Sequence, residues 1–336
     1  MRIGIAGLGR IGTMHARNLV ALDEVSELVL IGRDRGRLET RRDEIAAATD
    51  LGSTRLVIGE GWEEELPTLD GAVVATTSAT HPAMALDAAK AGVTALVEKP
   101  LALKVTELEA LADELEGTGA ETMVAFHRRY DPAHQELRRL VAAGELGALR
   151  VVTATGHDHY PLPAHYIPVS GGIWHDMLVH DFDTIPWVTG ERVVAVQASG
   201  TVLDEPAHAE YDDVDTALAV LELESGAIAT VTGMRHNGAG QDVRLELFGT
   251  TASYAAGLDD RNPMVSAEPG QPGVPHPYDD YADRFAPAFR AEMRAFIDLV
   301  AGRGENLTPP RAGIQAIQIA DAAAESLRTG ERIHLS

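Results

Sequence analysis

Gly7-Leu8-Gly9-Arg10-Ile11-Gly12 sets three glycines at the G-x-G-x-x-G spacing close to the start of the chain. The spacing means little alone. Here it follows an apolar run, residues 2–6, and precedes a stretch with helical patterning. In that strand–turn–helix context each glycine has its own task. Gly7 permits a tight turn, Gly9 lets the backbone approach a diphosphate, and Gly12 lets helix and strand pack closely. Arg10 and Ile11 then open a helix whose free N–H groups and positive dipole end face the diphosphate. A chain that begins this way is committed to a βαβ unit that binds a dinucleotide.

The alternation continues. Apolar runs at 28–31, 55–58, 72–76, 94–97 and 122–126 are separated by helix-like segments such as 36–48, 81–91 and 105–115. Continuous apolar strands between helices predict a parallel sheet covered on both faces. Near residue 148 the pattern changes to longer strands in succession, at 149–156, 192–202, 216–224, 227–234 and 242–249. Glu224-Ser225-Gly226 reads as a hairpin turn between two of them, and a helix over 173–188 interrupts the series. Residues 262–281 are rich in Pro and Gly and read as a loop, followed by helices at 282–301 and 311–329. The expected fold class is α/β. It comprises a Rossmann dinucleotide-binding domain, residues 1–126, and an α+β domain, residues 127–336, with a large, mainly antiparallel open sheet for substrate binding and oligomerisation. The C-terminal helices are free to pack back on the first domain.

About twenty residues after the glycines, an NAD site places an acid against the ribose 2′-hydroxyl. That position falls at Gly32, followed by Arg33 and Asp34. A small residue and then a guanidinium suit a 2′-phosphate, so the sequence leans to NADP over NAD. The alternative is Asp34 reaching the ribose after a small register shift.

Lysine occurs only three times, at 90, 99 and 104, in a chain that otherwise uses arginine. Lysine can give up its proton and arginine practically cannot. Lys99 stands in Glu98-Lys99-Pro100, directly after the strand at 94–97. Ligands of open α/β sheets bind at the carboxyl ends of strands, so Lys99 is expected at the nicotinamide end, able to pass a proton or hold a hydroxyl oxygen. Asp176 and His180 are four residues apart in the predicted helix, which would put both on one face. A histidine there suits a general base that must act as an acid in reverse. Asp183, three residues further on, could hold the same ring. His157, Asp158 and His159 offer two imidazoles and a carboxylate, a conceivable metal set. With the acids and Lys99 already given roles, no metal is expected, and His157 is read as lining the substrate pocket.

Composition excludes several classes. A net charge of −23 argues against nucleic-acid binding, which needs a basic surface. There is no cysteine, hence no disulfide, thiolate ligand or cysteine nucleophile. No apolar run is long enough for a membrane span, and the start does not read as a signal peptide. The expectation is a cytoplasmic protein.

The glycine turn, the VATTSATH stretch at 74–81, the EKP turn, Phe126-His127-Arg128-Arg129-Tyr130-Asp131 and the run Ser170-Gly171-Gly172 through Asp183 together resemble the Gfo/Idh/MocA oxidoreductases, and among them the inositol 2-dehydrogenase-like branch. The resemblance implies a homo-oligomer, dimeric or tetrameric, built through the large sheet. It further implies Lys99, Asp176 and His180 as the catalytic core; Thr76, Thr77, His81 and Glu98 near the cofactor; and Arg129 near cofactor or substrate. The implied reaction moves a hydride between the nicotinamide and a secondary hydroxyl of a polyol or sugar. One departure concerns the substrate. Inositol-type relatives carry Tyr-Gly-Tyr-Asp where this chain has Ala239-Gly240-Gln241-Asp242, with His236 and Asn237 available to fill the space. Two other functions share much of this sequence logic: a sensor that binds NAD(P) without turnover, and a lyase or glycosidase that oxidises its substrate transiently. The sensor has no need of the lysine or the Asp/His pair.

Overall fold

The computed structural model describes residues 1–335 and divides them into two compact units. One contains residues 1–127 and 288–314, the other residues 128–287 and 315–335.

The first unit is built on six strands: β1 (Arg2–Ala6), β2 (Glu27–Ile31), β3 (Arg55–Ile58), β4 (Gly71–Val74), β5 (Thr94–Val97) and β6 (Thr122–Val124). All neighbours are parallel, in the order β3-β2-β1-β4-β5-β6. This is the doubly wound order, in which the switch point lies between β1 and β4. Ile3, Ile5, Leu28, Leu30, Val73 and Leu96 are fully buried, as strands covered on both faces require. The helix Arg10–Val20 buries Gly12, Thr13, His15, Ala16, Leu19 and Val20 along one stripe and leaves the opposite face to solvent. The helix Ala286–Val300 contributes Phe289, Glu292, Met293 and Phe296 as its buried face. A Cβ on Gly71 would stand 2.5 Å from Val300, so this helix lies directly on the start of β4.

The second unit holds seven strands: β7 (Leu149–His157), β8 (Val193–Thr201), β9 (Thr216–Leu223), β10 (Ile228–Met234), β11 (Asp242–Gly249), β12 (Ser253–Ala256) and β13 (Ile333–His334). Their order is β12-β11-β7-β10-β9-β8-β13, antiparallel except for β7 beside β10. The hairpin between β9 and β10 closes at Gly226, φ +87°. One sheet face is covered by helices Pro132–Ala142 and Val179–Thr189. The short strands β12 and β13 occupy the edges.

The single helix expected over 173–188 is two. Gly172–Asp176 stops, and Val179–Thr189 starts afresh. At the junction the backbone N–H of Leu178 donates to Ile173 O, 2.9 Å, and that of His180 to Met177 O, 3.4 Å. Leu178 is fully buried. Its side chain fills the space over two sheet glycines: a Cβ on Gly233 would stand 3.0 Å from it and one on Gly156 3.5 Å. Seating that leucine on a glycine floor interrupts the helical ladder. Asp176 therefore ends one helix and His180 lies in the first turn of the next, and their one-turn spacing on a continuous helix does not hold.

Candidate functional site

In the first unit, a cleft of about 860 Å³ opens at the carboxyl ends of β1, β2 and β4. Its walls include Gly7, Leu8 and Gly9 after β1, Gly32, Arg33 and Asp34 after β2, and Thr76 and Thr77 after β4. The glycines differ in what they permit. Gly7 sits at φ +89°, and a Cβ there would meet Ala75 O at 2.4 Å. A Cβ on Gly12 would stand 1.9 Å from Gly7 O, whereas around Gly9 there is nothing within 4 Å. Gly9 caps the helix Arg10–Val20 without any side-chain bond to its first turn. The N-terminal end of an eleven-residue helix, approached over a glycine, fits a diphosphate. Arg10 and Ile11 form the first turn of that helix.

At the far end of the cleft Asp34 Oδ1 accepts from Arg37 N, 3.0 Å, and so caps the helix Arg35–Ala48. Arg33 and Arg37 line the same end. Trp62 and Met84, which the sequence reading passed over, add apolar wall. Neither carries a signal beyond being large and apolar near a turn.

Thr76 and His81 belong to one knot. The hydroxyls of Thr76 and Thr80 lie 2.7 Å apart. His81 is buried, with Nδ1 2.9 Å from Pro100 O and Nε2 3.3 Å from Thr76 O. Its ring ties the β4 loop to the Glu98-Lys99-Pro100 turn rather than facing the cleft. Glu98 spans in another direction: Oε1 is 2.7 Å from His15 Nε2, and Oε2 accepts from Lys99 N, 3.2 Å. Glu98 thus joins the fingerprint helix to the turn that presents Lys99. His15 was not anticipated, because a buried histidine on an apolar helix face gives no signal of its partner. Phe289 stands beside both His15, 6.0 Å between ring centroids, and His127, on which it stacks at 4.4 Å.

The second unit carries Asp176, His180, His157 and Arg129. The helix that contains His180 is pinned on both sides. Arg128 Nη1 donates to Asp181 Oδ1, 2.6 Å. Arg129 donates through Nε and Nη2 to the two oxygens of Asp183, 3.0 and 2.6 Å, and lies over the Trp187 ring. All four charged groups are buried or nearly so. Asp183 is therefore engaged by Arg129, and the expectation that it holds the His180 ring is replaced by this ion pair. Burial raises the Asp183 carboxyl above its ordinary value while Arg129 pulls it back. His157 ends β7, with Nε2 3.1 Å from the Thr232 hydroxyl. Burial pushes its imidazole below the ordinary range, so it stands neutral at pH 7.

Asp176 is met by two groups absent from the sequence reading. Arg235 Nη1 donates to Oδ2, 2.9 Å, and the Tyr166 hydroxyl reaches Oδ1 at 3.4 Å. The helix bearing Asp176 is held at its start by Asp213, whose Oδ1 accepts from Ile173 N, 2.8 Å, and whose Oδ2 is 2.8 Å from His208 Nδ1.

Two sequence models of one family match the chain: residues 1–126 match "Oxidoreductase family, NAD-binding Rossmann fold", and residues 134–255 match "GFO/IDH/MocA C-terminal domain". The chain belongs to the GFO/IDH/MocA oxidoreductase family. Among similar members, a myo-inositol dehydrogenase of Streptomyces leeuwenhoekii is 33% identical over 98% of each chain. The scyllo-inositol 2-dehydrogenase (NAD(+)) of Bacillus subtilis is 32% identical over all of this chain and 96% of its own. The crystal structure of a myo-inositol dehydrogenase from Corynebacterium glutamicum superposes with a TM-score of 0.85 at 28% identity, covering 100% of this chain and 99% of that one. The GFO/IDH/MocA fold thus extends over both units, with the Rossmann sheet first and the larger mixed sheet after it.

Proposed function

We propose that this GFO/IDH/MocA protein is an NAD(P)-dependent dehydrogenase acting on a secondary hydroxyl of an inositol-like polyol or a sugar. The carrying observation is that it keeps a glycine cradle for the diphosphate and a lysine at the end of β5 together with an ion-paired aspartate and a histidine on the second unit. The nicotinamide, when bound, exchanges the hydride. The protein's part is proton chemistry: His180 takes the hydroxyl proton as general base, Lys99 holds the oxygen, and Asp176 accepts from a substrate hydroxyl. Arg129, already forked onto Asp183, supports the His180 helix and through it the substrate wall to which His157 contributes.

The cofactor is NAD or NADP. NADP is favoured because Arg33 and Arg37 line the end of the cleft beyond Gly32, beside Asp34, whose Oδ1 caps the helix Arg35–Ala48. The polyol differs from that of relatives with a Tyr-Gly-Tyr-Asp turn. Here Ala239 stands in place of the first tyrosine, and Gln241, in place of the second, donates to Asp158 Oδ1, 2.9 Å, and accepts from His159 N, 3.1 Å. The protein is a homo-oligomer, dimer or tetramer. Val151, Leu218, Val220, Ile228 and Phe248 lie on one face of the second sheet, each 38–48% exposed, an apolar surface of the kind that subunits cover. Among the described residues no helix is long and apolar enough to cross a membrane, and with no cysteine in the chain we place the protein in the cytoplasm.

The deciding experiment is nicotinamide reduction by the purified protein, with NAD and NADP in parallel, against inositol isomers, aldoses and their phosphates. Net reduction with one of them establishes the dehydrogenase. Cofactor binding without net reduction overturns it in favour of transient oxidation or sensing. Lys99→Met should leave cofactor affinity near wild type and lower turnover at least about 100-fold, the lower end of what a positioned acid–base group contributes.

A further inference from the structure

Arg235 follows β10 directly and is almost wholly buried, at 2% exposure. Its backbone N–H donates to Asp215 O, 2.8 Å, which fixes the root of the side chain. Asp215 is itself a fixed point. Its carboxylate accepts the backbone N–H groups of Leu203, Asp204 and Glu205 at 2.7–3.0 Å. The guanidinium spends Nη1 on Asp176 Oδ2 at 2.9 Å, while Nε and Nη2 are buried with no hydrogen-bond partner among the described residues. A charge taken so far from water is tolerated only against an opposite charge.

Two acids supply it. Asp158, just beyond β7, is half-buried, and its desolvation raises its carboxyl; Arg235 draws it down, and Asp176 pushes it up. Asp158 and Asp176 therefore repel each other, and Arg235 is attracted to both. Like charges at close quarters compete for a proton unless a positive group stands with them. Arg128 also acts on Asp158, Gln241 hydrogen-bonds it, and the Tyr166 hydroxyl approaches the other oxygen of Asp176.

We propose that Arg235 is a positioning residue for the reaction: it keeps the Asp176 carboxylate ionised and in a single orientation, so that Asp176 accepts from a substrate hydroxyl instead of donating to it. Nη1 holds Oδ2, while Oδ1 faces the Tyr166 hydroxyl. Arginine suits this duty because it does not lose its proton even when buried. A solvent-facing ion pair would contribute far less. The inference rests on the substrate role given to Asp176 above.

The test uses Arg235→Met, which keeps volume and removes the charge, and Arg235→Lys, which keeps the charge on a shorter head. Turnover of Arg235→Met should fall about 100-fold. The acid limb of its kcat/KM profile should move up by about one pH unit or more, as expected when an opposite charge leaves a carboxylate. Affinity for the nicotinamide cofactor, read by fluorescence, should stay within about twofold, since Arg235 lies outside the unit that carries the glycine cradle. Arg235→Lys should restore part of the turnover and most of the acid limb. Combining Arg235→Met with Asp176→Asn should cost little more than Asp176→Asn alone, because residues acting as one unit are not additive. An unmoved pH profile, or losses that multiply in the double variant, would overturn the proposal. Should Arg235→Met fail to fold, the same profile and cycle with the neutral, polar Arg235→Gln decide it: a wild-type profile and turnover, or multiplying losses, reject the role, and a shifted limb supports it. Wild-type turnover of Asp176→Asn would instead strike the role given to Asp176, a result separable from any failure of Arg235.

Discussion

Arg129 and Asp183 form a two-point fork, with Nε and Nη2 each on a separate carboxylate oxygen at 3.0 and 2.6 Å, and Asp183 fully enclosed. Together with Arg128 on Asp181 it makes consecutive arginines grip alternate acids of the helix Val179–Thr189, on either side of Phe182 and immediately after His180. Removing one partner leaves a buried charge uncompensated, which typically costs about 3–5 kcal/mol. Asp183→Asn should therefore unfold at markedly lower urea, while the paired change Arg129→Met with Asp183→Leu should be less harmful than Asp183→Asn alone. Equilibrium unfolding of the three proteins checks this. An Asp183→Asn loss below about 1 kcal/mol, the range of an exposed pair, would show that the fork does not hold the helix.

The glycines of the cradle make separable predictions. Gly12→Ala would put a methyl 1.9 Å from a backbone oxygen. Helix and strand must move apart, so stability should fall by about 1–3 kcal/mol and cofactor affinity with it. Gly9→Ala meets nothing within 4 Å and sits at φ −72°, where alanine is at ease. Its melting temperature should match wild type while its cofactor dissociation constant rises at least about tenfold, a loss of about 1.4 kcal/mol. A Gly9→Ala protein that binds normally would place the diphosphate elsewhere.

The first sheet was legible because parallel strands buried on both faces read as unbroken apolar runs; β1 and β5 fall where the runs at 2–6 and 94–97 predict them. The edges were not. β12 and β13 are four and two residues long, too short and too polar to show a period. The break at Met177–Leu178 also left no trace, since neither residue is a helix breaker. It is decided by two glycines on strands far away in sequence. Asp176 and His180 stood out by residue type, but the one-turn spacing read for them does not hold, and what surrounds Asp176 was not legible. Arg235 reads as a strand end, and Arg129 gives no sign that its fork is taken by Asp183. Partners of buried charges are set by tertiary register, which a single sequence does not display.

The proposed preference for NADP is tested at Arg33. Arg33 lies beyond Gly32 at the same end of the cleft as Arg37 and Asp34, whose Oδ1 caps a helix. A hydrogen bond to a charged group is worth about 1.5–3 kcal/mol. Arg33→Ala should weaken NADP by about tenfold or more and leave NAD nearly unchanged, measured as dissociation constants at one salt concentration. An equal effect on both would remove the 2′-phosphate from this position.

Glu292 is fully buried, and neither of its carboxylate oxygens has a hydrogen-bond partner among the described residues. Burial, and then the charge of Glu98, raise its carboxyl well above the ordinary value. Phe289, one turn away on the same helix face, touches His15, the partner of Glu98. The native state thus keeps a proton that the unfolded chain gives up near its ordinary value of about 4.3. The sign follows. Below that value both states are protonated and Glu292 costs nothing through ionisation. Above it the native state binds the extra proton, and stability falls as pH rises, by up to about 1.4 kcal/mol per pH unit, until the native value is reached. Glu292→Gln removes the titration while keeping shape. In urea titrations between pH 5 and 8, its stability relative to wild type should improve as pH rises until the native value of Glu292 is passed. A difference that stays constant over that range would mean that Glu292 does not hold a proton in the folded protein.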